Sequence, residues 1–370
     1  MGLFGNKRST NDVPCEDIER AVAAVSDPNS GQTLAESGAI ERFDCKGKTC
    51  QVDIVLDYPP GDWEGELTDR IREAVATVDE SAEAEITVAF VAPEGSAMHG
   101  KPLPGVKNVI AVASGKGGVG KSSTSVNLAL ALLADGARVG LLDADIYGPS
   151  QPRMLGTSDK PQQVGERSMS PVMAHGLQTM SIGYLVDDES AMVWRGPMVT
   201  SALMQLLNDT RWDQLDYLIV DMPPGTGDVQ LTLAQKVPVA GSVIVTTPQE
   251  IATLDARKAI NMFNKVQVPI LGVIENMATH VCSNCGHVEA VFGEGGGAAI
   301  AAQYDTELLG QLPLNLRIRE DLDAGTPTVA KDPDGALAHS YRQAARRLAA
   351  GLGRAVRSEG QSGPEIVIEE

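Results

Sequence analysis

The sequence has few aromatic residues and no long apolar segment. Its 370 residues include 3 Trp, 6 Tyr and 5 Phe. No stretch approaches the ~20 apolar residues that a membrane-spanning helix needs. The opening residues, MGLFGNKRST, are not followed by the apolar run of a secretory signal. These absences predict a soluble protein of the cytoplasm.

Basic residues are scarce relative to acidic ones. The chain has 30 Lys and Arg against 49 Asp and Glu, which gives a formal net charge of -19 at pH 7. Such a charge repels phosphate groups, so it disfavours nonspecific binding to nucleic acids or anionic membranes, except at a local basic patch. We therefore predict neither nucleic acid nor membrane as a partner.

Cysteine is rare, and its five copies form two groups. Cys15, Cys45 and Cys50 lie near the start, and Cys282 with Cys285 lies far along the chain. This odd, clustered set is unlike a disulfide framework and fits a reducing compartment. We predict that the three early cysteines are ordinary thiols.

The pattern of apolar residues predicts two folded domains. Residues 11–92 alternate helical and strand-like segments and predict a small α+β domain, preceded by a flexible start at 1–10. A Pro/Gly-rich linker covers 93–105. Residues 106–353 form the larger domain, and 354–370 read as an acidic flexible tail.

The larger domain has continuous Val/Ile/Leu runs separated by helical segments. Examples are NVIAVAS, RVGLLDAD, YLIVDMP and SVIVTTP. Strands that are apolar throughout are buried on both faces, as in a parallel sheet flanked by helices. The predicted fold is therefore an α/β domain with a mostly parallel sheet.

The stretch NVIAVASGKGGVGKSST predicts a phosphate-binding loop between a strand and a helix. It fills the pattern G-x-x-x-x-G-K-[ST], in which backbone N–H groups close around phosphates, Lys121 adds charge and Ser122 can ligate Mg²⁺. The predicted nucleotide-binding residues are Gly115, Lys116, Gly117, Gly118, Val119, Gly120, Lys121, Ser122 and Ser123.

Carboxylates follow two other predicted strands. Asp221 follows the apolar run of YLIVDMP and can hold Mg²⁺ through water, as a Walker B acid does. Asp143 lies within RVGLLDAD, directly after its apolar run, and can either bind a ligand of Mg²⁺ or cap a helix. Because no N-K-x-D guanine motif is present, ATP is favoured over GTP.

The stretch HVCSNCGH, residues 280–287, predicts a site for a soft metal. The residues of a single chain leave open which ligands complete this site. Cys282 and Cys285 can bind zinc if His280 and His287 complete four ligands. A redox dithiol would need the pair at a helix N-terminus, whereas a loop is predicted here. An iron-sulfur cubane needs four thiolates, and this chain supplies one suitable pair.

The loop K-G-G-V-G-K resembles the deviant phosphate loop of the MinD/ParA class of ATPases. The resemblance implies a homodimer in which Lys116 reaches the partner's nucleotide, and it implies that Asp145 helps orient the attacking water. Asn276 matches a position that contacts adenine, although it also reads as a solvent-facing Asn. Lys116 and Asp145 are thus the candidate catalytic residues.

Longer motifs resemble the Mrp/ApbC branch of iron-sulfur cluster carrier ATPases. They are DADIYGPSQPRMLG, VWRGPMV with Trp194 and Arg195, DMPPGTGDVQLTL, CSNCGH and LPLNLRIREDLDAGTP. This resemblance implies a slow ATPase that uses ATP and Mg²⁺. It also implies that Cys282 and Cys285 of two chains hold a labile [4Fe-4S] cluster, exchanged with scaffold and apo client proteins.

Residues 11–92 resemble the small domain found alone in iron-sulfur assembly factors, through VSDPNSGQTLAESGAIERF. Many such domains carry a Cys-Pro pair where this chain has YPPGDW, so cluster chemistry does not carry over to this domain. Two other functions stay open at this point. One is a positioning ATPase of the MinD/ParA kind, and the other is a zinc-stabilised regulatory ATPase.

Overall fold

The chain divides into two compact units, Met1–Ala92 and Pro93–Glu370. The computed structural model describes residues 13–95, 101–186, 196–282 and 284–361. The flexible start predicted at 1–10 and the residues Trp194 and Arg195 lie outside the described residues. The division after Ala92 falls where the predicted small domain ends.

The first unit is a small α+β fold. Its elements are α1 (Cys15–Ala23), β1 (Ser26–Asp27), β2 (Gln32–Thr33), α2 (Leu34–Ser37), β3 (Ile40–Lys46), β4 (Thr49–Leu56), α3 (Trp63–Val78) and β5 (Glu83–Phe90). A three-stranded sheet has the order β3-β4-β5, with β3 antiparallel and β5 parallel to β4. The helix α3 connects the two parallel strands, as a parallel pair requires.

Apolar periodicity explains most of this unit. Every second residue of β4 is buried, and α3 buries Leu67, Ile71 and Val75 on one face. The strand β3 was not predicted because IERFDCK has no such alternation and none of its residues is fully buried. Its position is fixed by pairing with β4 instead.

The prediction that Cys45 and Cys50 are thiols is wrong, because these residues form a disulfide. The turn at Gly47 and Lys48 places them directly opposite each other on β3 and β4, with their Cα atoms 4.1 Å apart. Cross-strand neighbours this close can be bridged without moving the backbone. Cys15 is not in a disulfide.

The second unit is a layered α/β fold. Its strands are β6 (Val106–Ala113), β7 (Val139–Asp143), β8 (Gln163–Val164), β9 (Ser168–Met169), β10 (Val172–Ala174), β11 (Leu177–Ser181), β12 (Leu215–Asp221), β13 (Gly241–Thr246), β14 (Ile270–Glu275), β15 (His280–Val281), β16 (Val288–Glu289) and β17 (Leu308–Gln311). Its helices are α4 (Lys121–Ala134), α5 (Gln151–Met154), α6 (Gly196–Asp209), α7 (Asp228–Lys236), α8 (Glu250–Lys265), α9 (Gly296–Gln303), α10 (Leu316–Asp323), α11 (Thr328–Lys331) and α12 (Ala336–Gln361).

Eight of these strands form one sheet in the order β10-β11-β7-β12-β6-β13-β14-β17. All neighbours are parallel except β10 and β11. The strands β7, β12 and β13 are buried along their whole length, which confirms the predicted α/β fold. Because β7, β12 and β6 are adjacent and parallel, the residues that follow them meet at one edge of the sheet.

The helix α12 extends to Gln361, so it enters the segment predicted as a flexible tail from residue 354. The Arg354 side chain explains the difference, because its Nη2 lies 2.6 Å from Glu307 Oε2 and ties the helix to the body. Residues 362–370 lie outside the described residues. Among the described helices, none is both long and apolar enough to cross a bilayer.

Candidate nucleotide site and cysteine hairpin

The phosphate loop, residues 115–122, joins β6 to the start of α4. Two of its glycines are required by close approaches. A Cβ at Gly115 would lie 2.0 Å from the carbonyl oxygen of Asp255, and one at Gly120 would lie 2.2 Å from Asn276 Nδ2. Gly120 also has a φ of 83°, which favours glycine. The loop therefore keeps its shape only with these residues.

Lys121 is held in place inside the site. Its side chain is 6% exposed, and its Nζ lies 2.5 Å from Asp221 Oδ1 and 3.1 Å from Ser122 Oγ. Ser125 Oγ donates to the same Asp221 oxygen over 2.8 Å. The ammonium group, the hydroxyl predicted to bind Mg²⁺ and the Walker B carboxylate thus form one connected cluster.

Seven of the nine predicted phosphate-binding residues, all but Gly115 and Val119, line one cavity of about 300 Å³. Its lining residues are Ser114, Lys116, Gly117, Gly118, Gly120, Lys121, Ser122, Ser123, Asp145, Ser150, Met154 and Pro224. Val119 does not line it and is buried, but its carbonyl accepts a hydrogen bond from Asn276 Nδ2 over 2.9 Å. Lys116 is half-buried, and no hydrogen bond or ion pair of its ammonium group is found among the described residues.

Asp143 is buried, does not line this cavity and organises the segment after β7. Its carboxylate accepts hydrogen bonds from the backbone N–H groups of Asp145, Ser150 and Gln151 and from Ser181 Oγ, over 3.0 to 3.2 Å. Its carboxylate therefore accepts backbone hydrogen bonds at the start of α5, as a helix-capping residue does. Burial, and then the nearby Asp221 carboxylate, raise the pKa of Asp143 to about 7.

Asp145 lines the cavity itself. Burial raises the pKa of its carboxyl, and the Lys121 ammonium opposes that effect. The carboxylates Asp143, Asp145 and Asp221 thus share one cation, Lys121. A further cation would relieve the repulsion between them, which fits the oxygen-rich sites that Mg²⁺ prefers.

A second cavity of about 330 Å³ adjoins the first through Gly120 and Ser123. Its walls are mostly apolar and include Met277, Pro313, Leu314, Asn315, Ile318, Arg319, Leu322 and Tyr341. Asn276 also lines it and is only 7% exposed, so it is not a solvent-facing residue. Apolar walls beside a phosphate loop suit a nucleotide base, with polar groups such as Asn276 at the junction.

The cysteine hairpin, residues 280–289, is built differently from the phosphate loop. The strands β15 and β16 pair only through His280 with Glu289 and Val281 with Val288. Cys282 is half-buried and Cys285 is exposed, and neither is in a disulfide. The backbone N–H groups of Asn284 and Cys285 lower the pKa of the Cys282 thiol, which favours the thiolate that soft metals bind.

The imidazole of His280, two positions before Cys282, contacts a residue outside the hairpin. His280 Nδ1 lies 3.1 Å from the carbonyl oxygen of Leu314, and Leu314 N donates to the carbonyl of Thr279 over 2.7 Å. Leu314 lines the apolar cavity, so these bonds connect the hairpin to the candidate base site. Among the described residues, no three His, Cys, Asp or Glu side chains are grouped as a metal site.

Sequence reasoning missed two polar residues that contact Asp221. They are Ser125 and Gln151, whose side chains both donate to its carboxylate. Ser125 follows the phosphate-loop motif by three positions, and Gln151 lies within the quoted motif DADIYGPSQPRMLG. No local signal in the sequence relates either residue to β12, because only the folded sheet brings them together.

The fold and the phosphate loop define a P-loop NTPase with a second, cysteine-bearing site. A family model described as NUBPL iron-transfer P-loop NTPase matches residues 105–349, and one described as iron-sulfur cluster assembly protein matches residues 15–88. The chain belongs to this family of iron-transfer P-loop NTPases. The matches confirm the resemblances inferred from the sequence for both parts of the chain.

Individual relatives agree with this assignment. The iron-sulfur cluster carrier protein of Escherichia coli K12 is 63% identical over 251 residues, covering 68% of each chain. That of Haemophilus influenzae is 48% identical over 337 residues, covering 90% of this chain and 91% of its own. A solved nucleotide-binding protein from Archaeoglobus fulgidus, in complex with ADP, is 37% identical with a TM-score of 0.53, covering 60% and 87%.

Proposed function

We propose that this protein is a homodimeric ATPase that carries a labile [4Fe-4S] cluster and transfers it to apo-proteins. The observation that carries the proposal is the pair of accessible thiols, Cys282 and Cys285, on a hairpin bonded to the nucleotide site. Two thiolates per chain are half of what a cubane cluster needs. A two-fold dimer brings both pairs to one axis and supplies four.

Exposed apolar side chains support a second copy of the chain as the partner at this hairpin. Val281, Val288 and Val291 are 46%, 58% and 50% exposed around the two cysteines. Ile251 and Leu254 are exposed on α8, the helix that also contributes Asp255 to the contact with Gly115. Isolated apolar residues are common at surfaces, but clusters beside both candidate sites suit an interface.

In this proposal the phosphate loop binds ATP with Mg²⁺, which neutralises charge on the transferred phosphoryl group. Lys121 and the loop backbone bind phosphate, while Ser122 and Asp221 hold the ion. Asp145 orients the attacking water, and Lys116 of each chain reaches the other chain's nucleotide. Asn276 borders the base. The carboxylates around Lys121 and the apolar second cavity fit these groups.

Nucleotide state would affect the cluster through the Leu314 segment. A base in the apolar cavity contacts this segment, and the same segment holds His280 and Thr279 at the foot of the hairpin. Scaffold proteins would load the dimer and apo iron-sulfur proteins would receive the cluster. A reducing cytoplasm suits the two thiols, whereas the Cys45–Cys50 disulfide does not follow from that location.

Anaerobic reconstitution with iron and sulfide tests the proposal. The wild type should bind close to one cluster per two chains, measured by iron and sulfide content and by absorption spectra. Cys282→Ala with Cys285→Ala should bind none, whereas the control Cys15→Ala should behave as the wild type. A cluster that survives in the double variant, or zinc alone at one ion per chain, would contradict the proposal.

A further inference from the structure

Gln151, the first residue of α5, is a buried amide at the edge of the candidate Mg²⁺ site. Its side chain is 1% exposed. Nε2 donates to the carbonyl oxygen of Ser122 over 3.1 Å and to Asp221 Oδ2 over 3.0 Å. The backbone N–H of Gln151 donates to Asp143 Oδ2 over 3.1 Å. One residue thus contacts the phosphate loop and the carboxylates that end β7 and β12.

The other half of this amide lacks a partner. Gln151 Oε1 is buried and accepts no hydrogen bond from the described residues. Exchanging the amide oxygen and nitrogen would not satisfy it, because Oε1 would then face the carbonyl of Ser122 and the Asp221 carboxylate, which are both acceptors. The orientation of the amide is therefore determined, and a buried acceptor is left without a donor.

The surrounding side chains do not provide that donor. Asp221 offers only oxygen acceptors when ionised, and both Asp143 oxygens already accept hydrogen bonds from backbone N–H groups. The Lys121 ammonium donates to Asp221 and Ser122 Oγ and makes no hydrogen bond to Gln151 Oε1. A water molecule bound to Mg²⁺ is a strong donor, and Mg²⁺ keeps several waters when proteins bind it.

We propose that Gln151 positions the Mg²⁺ ion of the bound nucleotide. Its Oε1 accepts a hydrogen bond from a water ligand of the ion, while its Nε2 fixes the Asp221 carboxylate. The inference rests on the proposed nucleotide site, and it adds a residue that binds the hydration shell of the ion. An amide is suited to this task because it has an acceptor and two donors on one planar group.

Two substitutions of Gln151 test this inference. Gln151→Leu removes both the acceptor and the donors at similar size. Gln151→Glu keeps an acceptor for the water but removes the amide donors to Ser122 and Asp221. If the residue served only to connect Ser122 and Asp221, Gln151→Leu would weaken nucleotide binding equally with and without Mg²⁺. If the acceptor matters, the loss should appear only with Mg²⁺. Gln151→Glu places a carboxylate oxygen beside Asp221, so its added charge opposes the benefit of the retained acceptor.

The experiment measures the affinity of a fluorescent ADP analogue at increasing Mg²⁺ concentration and in EDTA. We expect Gln151→Leu to need on the order of 10-fold more Mg²⁺ for its effect, since outer-shell partners contribute 10- to 100-fold to metal affinity. Affinity in EDTA should match the wild type, and thermal unfolding verifies that each variant is folded.

Gln178→Leu is the matched control, because both ends of the Gln178 amide are paired with the backbone of Asp213. The Asp213 N–H donates to Gln178 Oε1 over 2.8 Å, and Gln178 Nε2 donates to the Asp213 carbonyl over 3.0 Å. It should retain the wild-type Mg²⁺ dependence. An unchanged Mg²⁺ dependence in Gln151→Leu, or equal losses with and without Mg²⁺, would overturn the inference. A wild type that binds no nucleotide at any Mg²⁺ concentration would instead overturn the proposed function.

Discussion

In the phosphate loop Lys121 is buried and bonded to two side chains, whereas in the cysteine hairpin Cys285 is exposed and β15 and β16 pair through two residues each. The first site is a cavity whose side chains are held in place within one chain, at the ends of three adjacent strands of the main sheet. The second has two free thiols on a short hairpin. If these thiols are ligands of a four-thiolate site, the other two have to come from another molecule.

The largest effect is expected in the phosphate loop. Lys121→Met leaves the Asp221 carboxylate buried without its cation, and removing one partner of a buried ion pair costs about 3–5 kcal/mol. We expect a fall in the free energy of unfolding of that order and loss of nucleotide binding. Urea unfolding and titration with a fluorescent nucleotide measure both.

Lys258→Met is the control for this change, because that lysine is 67% exposed and its ion pair among the described residues is with Asp255 on the same helix. Its effect on the free energy of unfolding should stay below about 1 kcal/mol. Nucleotide affinity close to the wild type in Lys121→Met would show that the loop binds phosphate without this ammonium group.

A smaller effect is expected from pH. The pKa of Asp143 rises from 3.8 to about 7 on folding. Over that interval the folded protein holds a proton that the unfolded chain has lost, so this group makes the free energy of unfolding fall as pH rises. Asp143→Asn cannot titrate, and its unfolding free energy should depend less on pH between about 4 and 7.

Urea unfolding at several pH values measures this difference in slope. Asp69→Asn, at an exposed carboxylate on α3, should keep the wild-type slope. Identical slopes in Asp143→Asn and the wild type would mean that Asp143 stays ionised, held by its four donors, throughout the interval.

The smallest effect is expected at the connection between the two sites. His280→Ala removes the hydrogen bond to the carbonyl of Leu314, which is worth on the order of 1 kcal/mol. We expect the nucleotide to change the rate of cluster loss less in this variant than in the wild type, by several-fold at most. Absorption decay with and without ADP measures it.

His287→Ala is the matched control on the same hairpin. His287 is exposed, and its backbone carbonyl, which accepts from Cys282 N over 2.9 Å, is kept in the variant. This variant should respond to ADP as the wild type does. An equal loss of the ADP response in both variants would place the connection elsewhere in the hairpin.

Most of the fold followed from periodicity, because buried strands of a parallel sheet read as continuous apolar runs. The strands β6, β7, β12 and β13 were predicted in this way. The strand β3 was not, since its pattern lacks alternation. The end of α12 was also missed, because the ion pair between Arg354 and Glu307 is invisible in a segment that reads as polar.

The sequence by itself determined the chemistry that is local along the chain. The phosphate loop needs consecutive glycines, a lysine and a serine at fixed spacing, and the cysteine pair needs two thiols three positions apart. Both motifs are complete within a few residues, so they can be recognised from the sequence without knowing the fold. Local patterns also predict a small α+β domain and a larger α/β domain with the phosphate loop.

Only the tertiary structure decided which distant groups meet. It brought Ser125 and Gln151 to Asp221, Asn276 to the loop at Val119 and His280 to Leu314, and it paired Cys45 with Cys50. These contacts join residues from different elements, and the order of the strands in the sheet determines them. Hydrogen bonds depend on separation in space, which local sequence patterns do not encode.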